Sequence, residues 1–315
     1  MEITQPPPMP LTDPQRRTME HLLGAGQQRP LFPADLPQRL RDRIEEAVRG
    51  VELVEQLWLS KAKLSALTQC QGMFTARLLG ESEPFEHSVS TAAGVLQHKA
   101  IEVEVGAREP LGPAQTVDLA VERLVTKEER FAEYWGALTP PGQDEVVAEA
   151  VRRVTQFQGT FPPLRELRRE LAPVAELSSR SELSGGELVL SGRMDLVLGI
   201  QDRTDPMRAT RLALDLKTGG AYPEHVEDNR FYALLLTLRF GVPPFRVGSL
   251  FLESGEWQSE DVTEETLFRA ADRVTAAVRA AAALFAGREP ELTPGRYCGW
   301  CPRSATCPSA ELPAG

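Results

Sequence analysis

Several things are scarce in this chain. It holds four cysteines in 315 residues, and it opens Met-Glu-Ile-Thr-Gln-Pro-Pro-Pro, with neither a basic start nor an apolar core. No export signal is visible, so a disulfide framework has no oxidising compartment in which to form. No apolar run approaches the ~20 residues that cross a bilayer, and the stretch from Val274 to Phe285 is interrupted by Arg279. A soluble, cytoplasmic protein with no membrane contact is the expectation. There is no internal repeat and no G-x-x-x-x-G-K-[ST] phosphate loop, which excludes a nucleotide-driven motor within this chain. Positive charge is also short. Lys and Arg number 35 against 45 Asp and Glu, a net charge of −10, which argues against a protein that coats duplexes by neutralising phosphates along their length.

What is present begins with two apolar, strand-like runs. Leu188 to Leu198 contains Gly192-Arg193-Met194-Asp195, and Leu212 to Lys217 contains Asp215 and Lys217, followed by Thr218-Gly219. Successive side chains of a strand point to opposite faces. Asp215 and Lys217 therefore share one face, with Leu212, Leu214 and Leu216 on the other, and Arg193, Asp195 and Val197 share one face of the first run. The polar segment from Gln201 to Thr210, with Asp205-Pro206, can turn the chain so that the two strands pair antiparallel. Two carboxylates then meet beside one ammonium. Phosphodiester hydrolysis needs a hard cation, carboxylate oxygens to hold it and a group to position water. Asp195, Asp215 and Lys217 meet those needs.

The cysteines form a second pattern. Cys298, Cys301 and Cys307 give C-x2-C-x5-C near the C-terminus, and Cys70 stands alone far upstream. Four thiolates suit a metal or a cluster without fixing which, and structural zinc stays open.

Asp followed by Asp-x-Lys in strands resembles the PD-(D/E)XK nuclease superfamily, and Gly-Arg-Met-Asp with Asp-Leu-Lys-Thr-Gly resembles its RecB-type branch. Ser65-Ala66-Leu67-Thr68-Gln69-Cys70 with Phe74 and the C-terminal cysteines resemble the iron-sulfur variant of that branch, which includes the CRISPR-associated adaptation nuclease and AddB-type nuclease domains. The resemblance implies an α/β fold, a restriction-endonuclease-like mixed sheet flanked by helices, and a 4Fe-4S cluster on Cys70, Cys298, Cys301 and Cys307 acting as a C-terminal structural staple. Gly94 and His98 resemble the family's Gly-x-x-x-His, on a helix that Ser90 or Thr91 could cap, where glycine lets the helix approach the sheet. By the same resemblance His98, Asp195, Asp215 and the Leu216 carbonyl hold Mg or Mn, and Lys217 orients water. Glu102, one turn beyond His98, is a candidate supporting group. The family's Gln-x-x-x-Tyr becomes Asp228 and Tyr232 here. Tyr232 and Arg230 are candidate DNA contacts, and Asp228 has no assigned role.

The implied substrate is DNA, single-stranded with a free end. A processing subunit with weak catalysis, bound to a helicase or defence-complex partner, is the alternative, and a zinc-stapled enzyme of other chemistry is a third. Local basic candidates are Lys61, Lys63 and Arg77 near the first cysteine, and Arg296 and Arg303 near the last three.

Along the chain, residues 1–14 are rich in proline and read as disordered. Ile44, Val48, Val51, Val54, Leu57 and Trp58 have helical spacing within Arg39 to Ser60. The expected organisation is a tail and helix over 1–60 and a nuclease domain over 61–315. That domain carries a helical insertion at about 109–175, with helices near Val117–Leu138 and Asp144–Phe157, and the cysteine cluster at 298–307. Further strand signals cover Glu187–Ile200, Arg211–Lys217 and Phe245–Glu253. Thr263 caps a long alanine-rich helix running to Gly287.

Overall fold

The computed structural model describes residues 10–51, 53, 55–81, 86–165 and 167–310. Helices α1 (Asp13–Arg17) and α2 (Leu36–Val48) precede strand β1 (Leu57–Ser60), and α3 (Lys61–Gln69), α4 (Gln71–Leu78) and α5 (Val89–Gly106) follow. Next come α6 (Pro113–Lys127), α7 (Glu129–Ala137), α8 (Pro140–Thr160) and the short α9 (Arg168–Leu171). The rest is β2 (Val174–Leu183), β3 (Leu188–Leu198), β4 (Leu212–Lys217), α10 (Glu224–Phe240), β5 (Arg246–Phe251), β6 (Glu256–Asp261) and α11 (Glu264–Phe285).

One mixed sheet joins all six strands. β3 is its organising strand: β2 pairs antiparallel along one edge, from Val174↔Val197 to Leu183↔Leu188. The opposite edge is shared. β1 takes its first half in parallel, Leu57↔Leu188 to Ser60↔Ser191, and β4 takes its last residues antiparallel, Leu196↔Leu214 to Leu198↔Leu212. Between them Gly192 to Asp195 have no ladder partner on that side among the described residues, and the sheet splits there. β4 continues into parallel β5 and antiparallel β6. β3, β4 and β5 are nearly continuous runs of buried residues, as strands covered on both faces must be.

α10 and α11 pack on each other, and α10 on the sheet. Gly192 is required by that approach: a Cβ there would stand 2.7 Å from Leu235 Cδ1 and 3.1 Å from Tyr232 Cε1. A second core forms where α6, α7 and α8 pack on α5, through Val117, Leu124, Phe131, Val146 and Val154 against Ala92, Ala93, Leu96 and Ala100. No helix of the described residues is long and apolar enough to cross a membrane.

Three local expectations differ. The helical spacing from Arg39 to Ser60 does not persist. Arg49 turns extended after Val48, and Leu57 to Ser60 join the sheet with Leu57 and Leu59 buried and Trp58 exposed, an alternation that the longer helical period masks; Val54 lies outside the described residues. Of the tail, residues 1–9 lie outside them too, while Asp13–Arg17 is helical, with Thr12 Oγ1 accepting from the Gln15 amide at 3.4 Å. The cap of α5 is Ser88, whose Oγ accepts from the Thr91 amide at 3.2 Å. Thr91 returns the interaction to the Ser88 amide at 2.7 Å, a reciprocal arrangement that Ser90 cannot offer. Thr263 caps α11 as the sequence indicates, accepting from Thr266 at 3.1 Å.

Candidate active site

Register across three strands builds a row of carboxylates. Leu196↔Leu214 puts Asp195 opposite Asp215, and the pairs Ala175↔Leu196 and Leu177↔Met194 leave Glu176 opposite Asp195. Glu176 has a left-handed backbone, φ 54°, and interrupts the ladder there. Directly opposed residues of antiparallel strands share a face, so Glu176, Asp195 and Asp215 line up across β2, β3 and β4. Asp195 Oδ2 accepts the Leu216 amide at 2.6 Å, tying the first strand to the second where their ladder ends.

The two ends of the row carry opposite partners. At the Glu176 end, α5 brings His98 Nδ1 to 3.6 Å from Glu176 Oε1 and 3.5 Å from Asp195 Oδ1. A Cβ on Gly94, one turn earlier, would lie 3.2 Å from Thr218 Cγ2, so the glycine sets how near α5 comes. Burial alone would lower the His98 imidazole; the carboxylates of Asp195 and Glu176 outweigh it and raise it to about 10. Arg193 closes this end, Nε 2.8 Å from Glu176 Oε2.

At the other end two ammoniums hold Asp215. Lys217 Nζ contacts Oδ2, and Lys61 Nζ, from the start of α3, lies 3.2 Å from Oδ1. Burial would raise Asp215, but Lys61 and Lys217 hold it at about 2. Asp195 moves the other way, raised by burial, with the charge of Asp215 adding to it and His98 opposing. Low dielectric thus separates two neighbouring carboxylates according to their cationic partners.

A profile of the PD-(D/E)XK nuclease superfamily matches residues 58–308, from β1 through the last cysteine. This chain belongs to the PD-(D/E)XK nuclease superfamily. Among solved structures, a Eubacterium rectale protein provisionally named an exonuclease aligns with a TM-score of 0.50 at 12% identity, over 82% of this chain and 91% of that one, a likeness of fold. A second, SSO0001, aligns at 11% identity over 86% of this chain and 94% of that one, and its TM-score of 0.33 carries no argument. Among curated proteins no sequence matches.

The nuclease gathers most of the residues singled out in its sequence. His98, Asp195, Asp215 and Lys217 converge. Leu216 takes part through its amide. Two residues join them that sequence reasoning did not place: Glu176, and Lys61, read there as a basic surface candidate. Ligand atoms of His98, Glu176 and Asp195 all lie within 4.8 Å of one another. One imidazole nitrogen and two carboxylate oxygens, partly buried, fit a hard divalent cation.

Around this row, Tyr232 is buried, its hydroxyl donating to the Arg193 carbonyl at 2.8 Å. Arg230 is committed to Glu227 at 2.6 Å and Glu260 at 2.8 Å. Both candidate DNA contacts are thus engaged within the fold. Asp228 pairs with neither Arg230 nor solvent; it is buried and accepts from the Ser65 hydroxyl at 2.6 Å. Glu102 pairs with Lys99 at 2.5 Å. Arg296 and Arg303 are ion-paired with Glu224 and Glu81.

The nuclease brings its four cysteines together as well. Cys70, Cys298, Cys301 and Cys307 line one cavity of about 380 Å³, and none is in a disulfide. Burial raises the Cys301 thiol, and the other three cysteines push it further up. Four convergent thiols fit a metal ion or cluster that ligates all of them.

Proposed function

We propose that the protein is a metal-dependent deoxyribonuclease of the RecB-like branch, acting on single-stranded DNA from a free end, with a 4Fe-4S cluster as a structural staple. The row Glu176–Asp195–Asp215, bounded by His98 on one side and Lys217 on the other, is the observation that carries the reading. His98, Asp195 and Glu176, joined by Asp215 and the Leu216 carbonyl, would hold Mg or Mn. When bound, that cation neutralises charge on the phosphate and makes a bound water more acidic.

The remaining chemistry belongs to the chain. Lys217 stands beside Asp215 at the end of β4, where its ammonium can hold the attacking water and offset charge building on the phosphate oxygens. Asp195 is oriented by the Leu216 amide and cannot rotate without breaking that bond. Arg193 keeps Glu176 turned into the row. Tyr232, through the Arg193 carbonyl, fixes the strand that carries Asp195. Cys70 at the α3–α4 junction and Cys298, Cys301 and Cys307 would hold the cluster, which would tie that junction to the C-terminal segment. Zinc in the same four thiolates would serve the same mechanical end.

Incubating anaerobically purified protein with end-labelled single- and double-stranded DNA and Mn2+ tests this. Cleavage of single strands from an end is expected, and Lys217→Ala should reduce it by at least ~10³-fold with unchanged melting. Absence of metal-dependent cleavage on any nucleic-acid end, or a Lys217→Ala variant as fast as wild type, overturns the catalytic assignment and leaves a processing subunit of a larger complex. A brown protein absorbing near ~400 nm supports the cluster; a colourless one with bound zinc replaces it.

A further inference from the structure

Two features of the centre stand outside that mechanism. One is Lys61, whose ammonium lies 3.2 Å from Asp215 Oδ1 and 3.4 Å from Oδ2. The other is Asp228, an anion where the resemblance expects a neutral glutamine. α3 connects them. Lys61 is its first residue and Ser65 lies one turn on, over the same face; the Ser65 hydroxyl donates to Asp228 Oδ1 at 2.6 Å. The same hydroxyl lies 3.0 Å from the Lys61 carbonyl, so Asp228 sits beside the first turn of α3, and its charge acts on the Lys61 ammonium. The Tyr232 ring, 5.0 Å from Lys61 Nζ, forms the wall beside it. Behind Asp228, Arg273 of α11 donates to the Ser65 hydroxyl at 3.2 Å and approaches Asp228 Oδ1 at 3.6 Å, its Nε and Nη1 buried without a hydrogen-bond partner among the described residues.

A carboxylate clasped by two ammoniums has little to give a divalent cation, because each lysine occupies lone pairs the cation needs and repels it. Lys217 is the lysine the chemistry requires at Asp215, so Lys61 is the one to leave. A buried ammonium leaving one anion needs another within reach. Asp228 is that anion, held ready by Ser65 and Arg273, and a glutamine at 228 would supply no charge.

Resting on the hydrolytic reading above, we propose that Lys61 is a positioning residue. In the cation-free enzyme it holds Asp215, and when a cation enters it passes to Asp228, so that the Lys61–Asp228 pair sets the affinity of the site. The competing arrangement, in which Lys61 stays on Asp215 and orients it for the cation, predicts the opposite sign for the same substitution.

The test is a Mn2+ titration of the full-length protein without nucleic acid, with free Mn2+ read by electron paramagnetic resonance and melting recorded alongside. Lys61→Met removes the competing charge and should tighten Mn2+ about tenfold, a gain that a misfolded site cannot produce. Asp228→Asn deprives Lys61 of its second seat and should weaken Mn2+ about tenfold. In the double variant the Asp228→Asn loss should shrink to less than half, because its effect runs through Lys61. Weaker or unchanged binding in Lys61→Met overturns the proposal, as does an Asp228→Asn loss of equal size with and without Lys61. If wild type binds no Mn2+, the hydrolytic reading falls with it. If wild type binds Mn2+ yet cleaves nothing, the binding data still decide the role of Lys61.

Discussion

Glu176→Gln isolates the carboxylate that register adds to the site. The substitution keeps size and shape, and removes one negative charge from a donor set whose ligand atoms lie within 4.8 Å of one another. Its structural cost should be small. Glu176, 19% exposed, faces Arg193, whose side chain is 69% exposed, which limits that pair to about 1 kcal/mol; what remains is the support Glu176 gives the His98 proton. The functional cost should be larger. Groups that merely orient a metal-bound imidazole change affinity by about 10–100-fold, and a direct ligand lies at or above the top of that range. Loss of about 100-fold in Mn2+ affinity, about 2.7 kcal/mol, is expected, with the fold retained. Arg193→Ala, which removes the partner and keeps the carboxylate, should lose much less. Binding within about threefold of wild type in Glu176→Gln would show that the cation ignores β2 and that the row has only two functional members.

The remaining tests address other parts of the structure. His98 ionises near 10, above its ordinary 6.5, so its proton stabilises the cation-free fold fully below pH 6.5 and this contribution is lost as pH rises through about 10. Mn2+ binding at pH 7 should therefore release about one proton, seen in calorimetry repeated in buffers of different ionisation enthalpy; no release would mean that the carboxylates do not hold a proton on His98 that the cation must displace. Gly192→Ala forces a methyl group to within 2.7 Å of Leu235 and should destabilise by about 1–3 kcal/mol in urea unfolding, whereas a neutral result would mean that α10 has room to move. Cys301→Ser should lose bound iron and lower the melting temperature, since the four-thiol cavity closes a very long loop. Unchanged melting with neither iron nor zinc bound would remove the staple.

What was readable in the sequence follows from periodicity and spacing. Asp195, Asp215 and Lys217 sit in apolar runs whose alternation is unambiguous, and the polar turn around Asp205 lets those runs pair. Cys298, Cys301 and Cys307 announce their convergence by closeness along the chain. Glu176 had no such signal. β2 reads Val-Ala-Glu-Leu-Ser-Ser-Arg-Ser-Glu-Leu, half-exposed and polar, and the position of Glu176 comes from its register with β3 and a left-handed backbone that local composition does not disclose. β6, with Glu256, Gln258 and Glu260 on an edge, was hidden for the same reason. Lys61 looked like a surface charge because nothing local shows that β1 delivers it to the split in the sheet. Asp228 was puzzling only while Arg230 was its one visible partner; Ser65 and Arg273 reach it from helices distant in sequence.

Helix α5 stands between two cores. Ile101 belongs to the sheet core, while Ala92, Ala93, Leu96 and Ala100 belong to the bundle formed with α6, α7 and α8. Buried Arg153 of α8 grips the start of α5, donating to the Ser90 carbonyl and hydroxyl at 3.0 Å each. The carboxylates are thus anchored in the sheet, and the imidazole is mounted on a helix whose outer support is a separate bundle. Half of the donor geometry can therefore be adjusted from outside. A substitution in α6–α8 that shifts α5 would move His98 relative to Asp195 while the carboxylates stay where the sheet holds them. The bundle of α6, α7 and α8 is thus the outer support of one member of the candidate site, and the sheet is the support of the others.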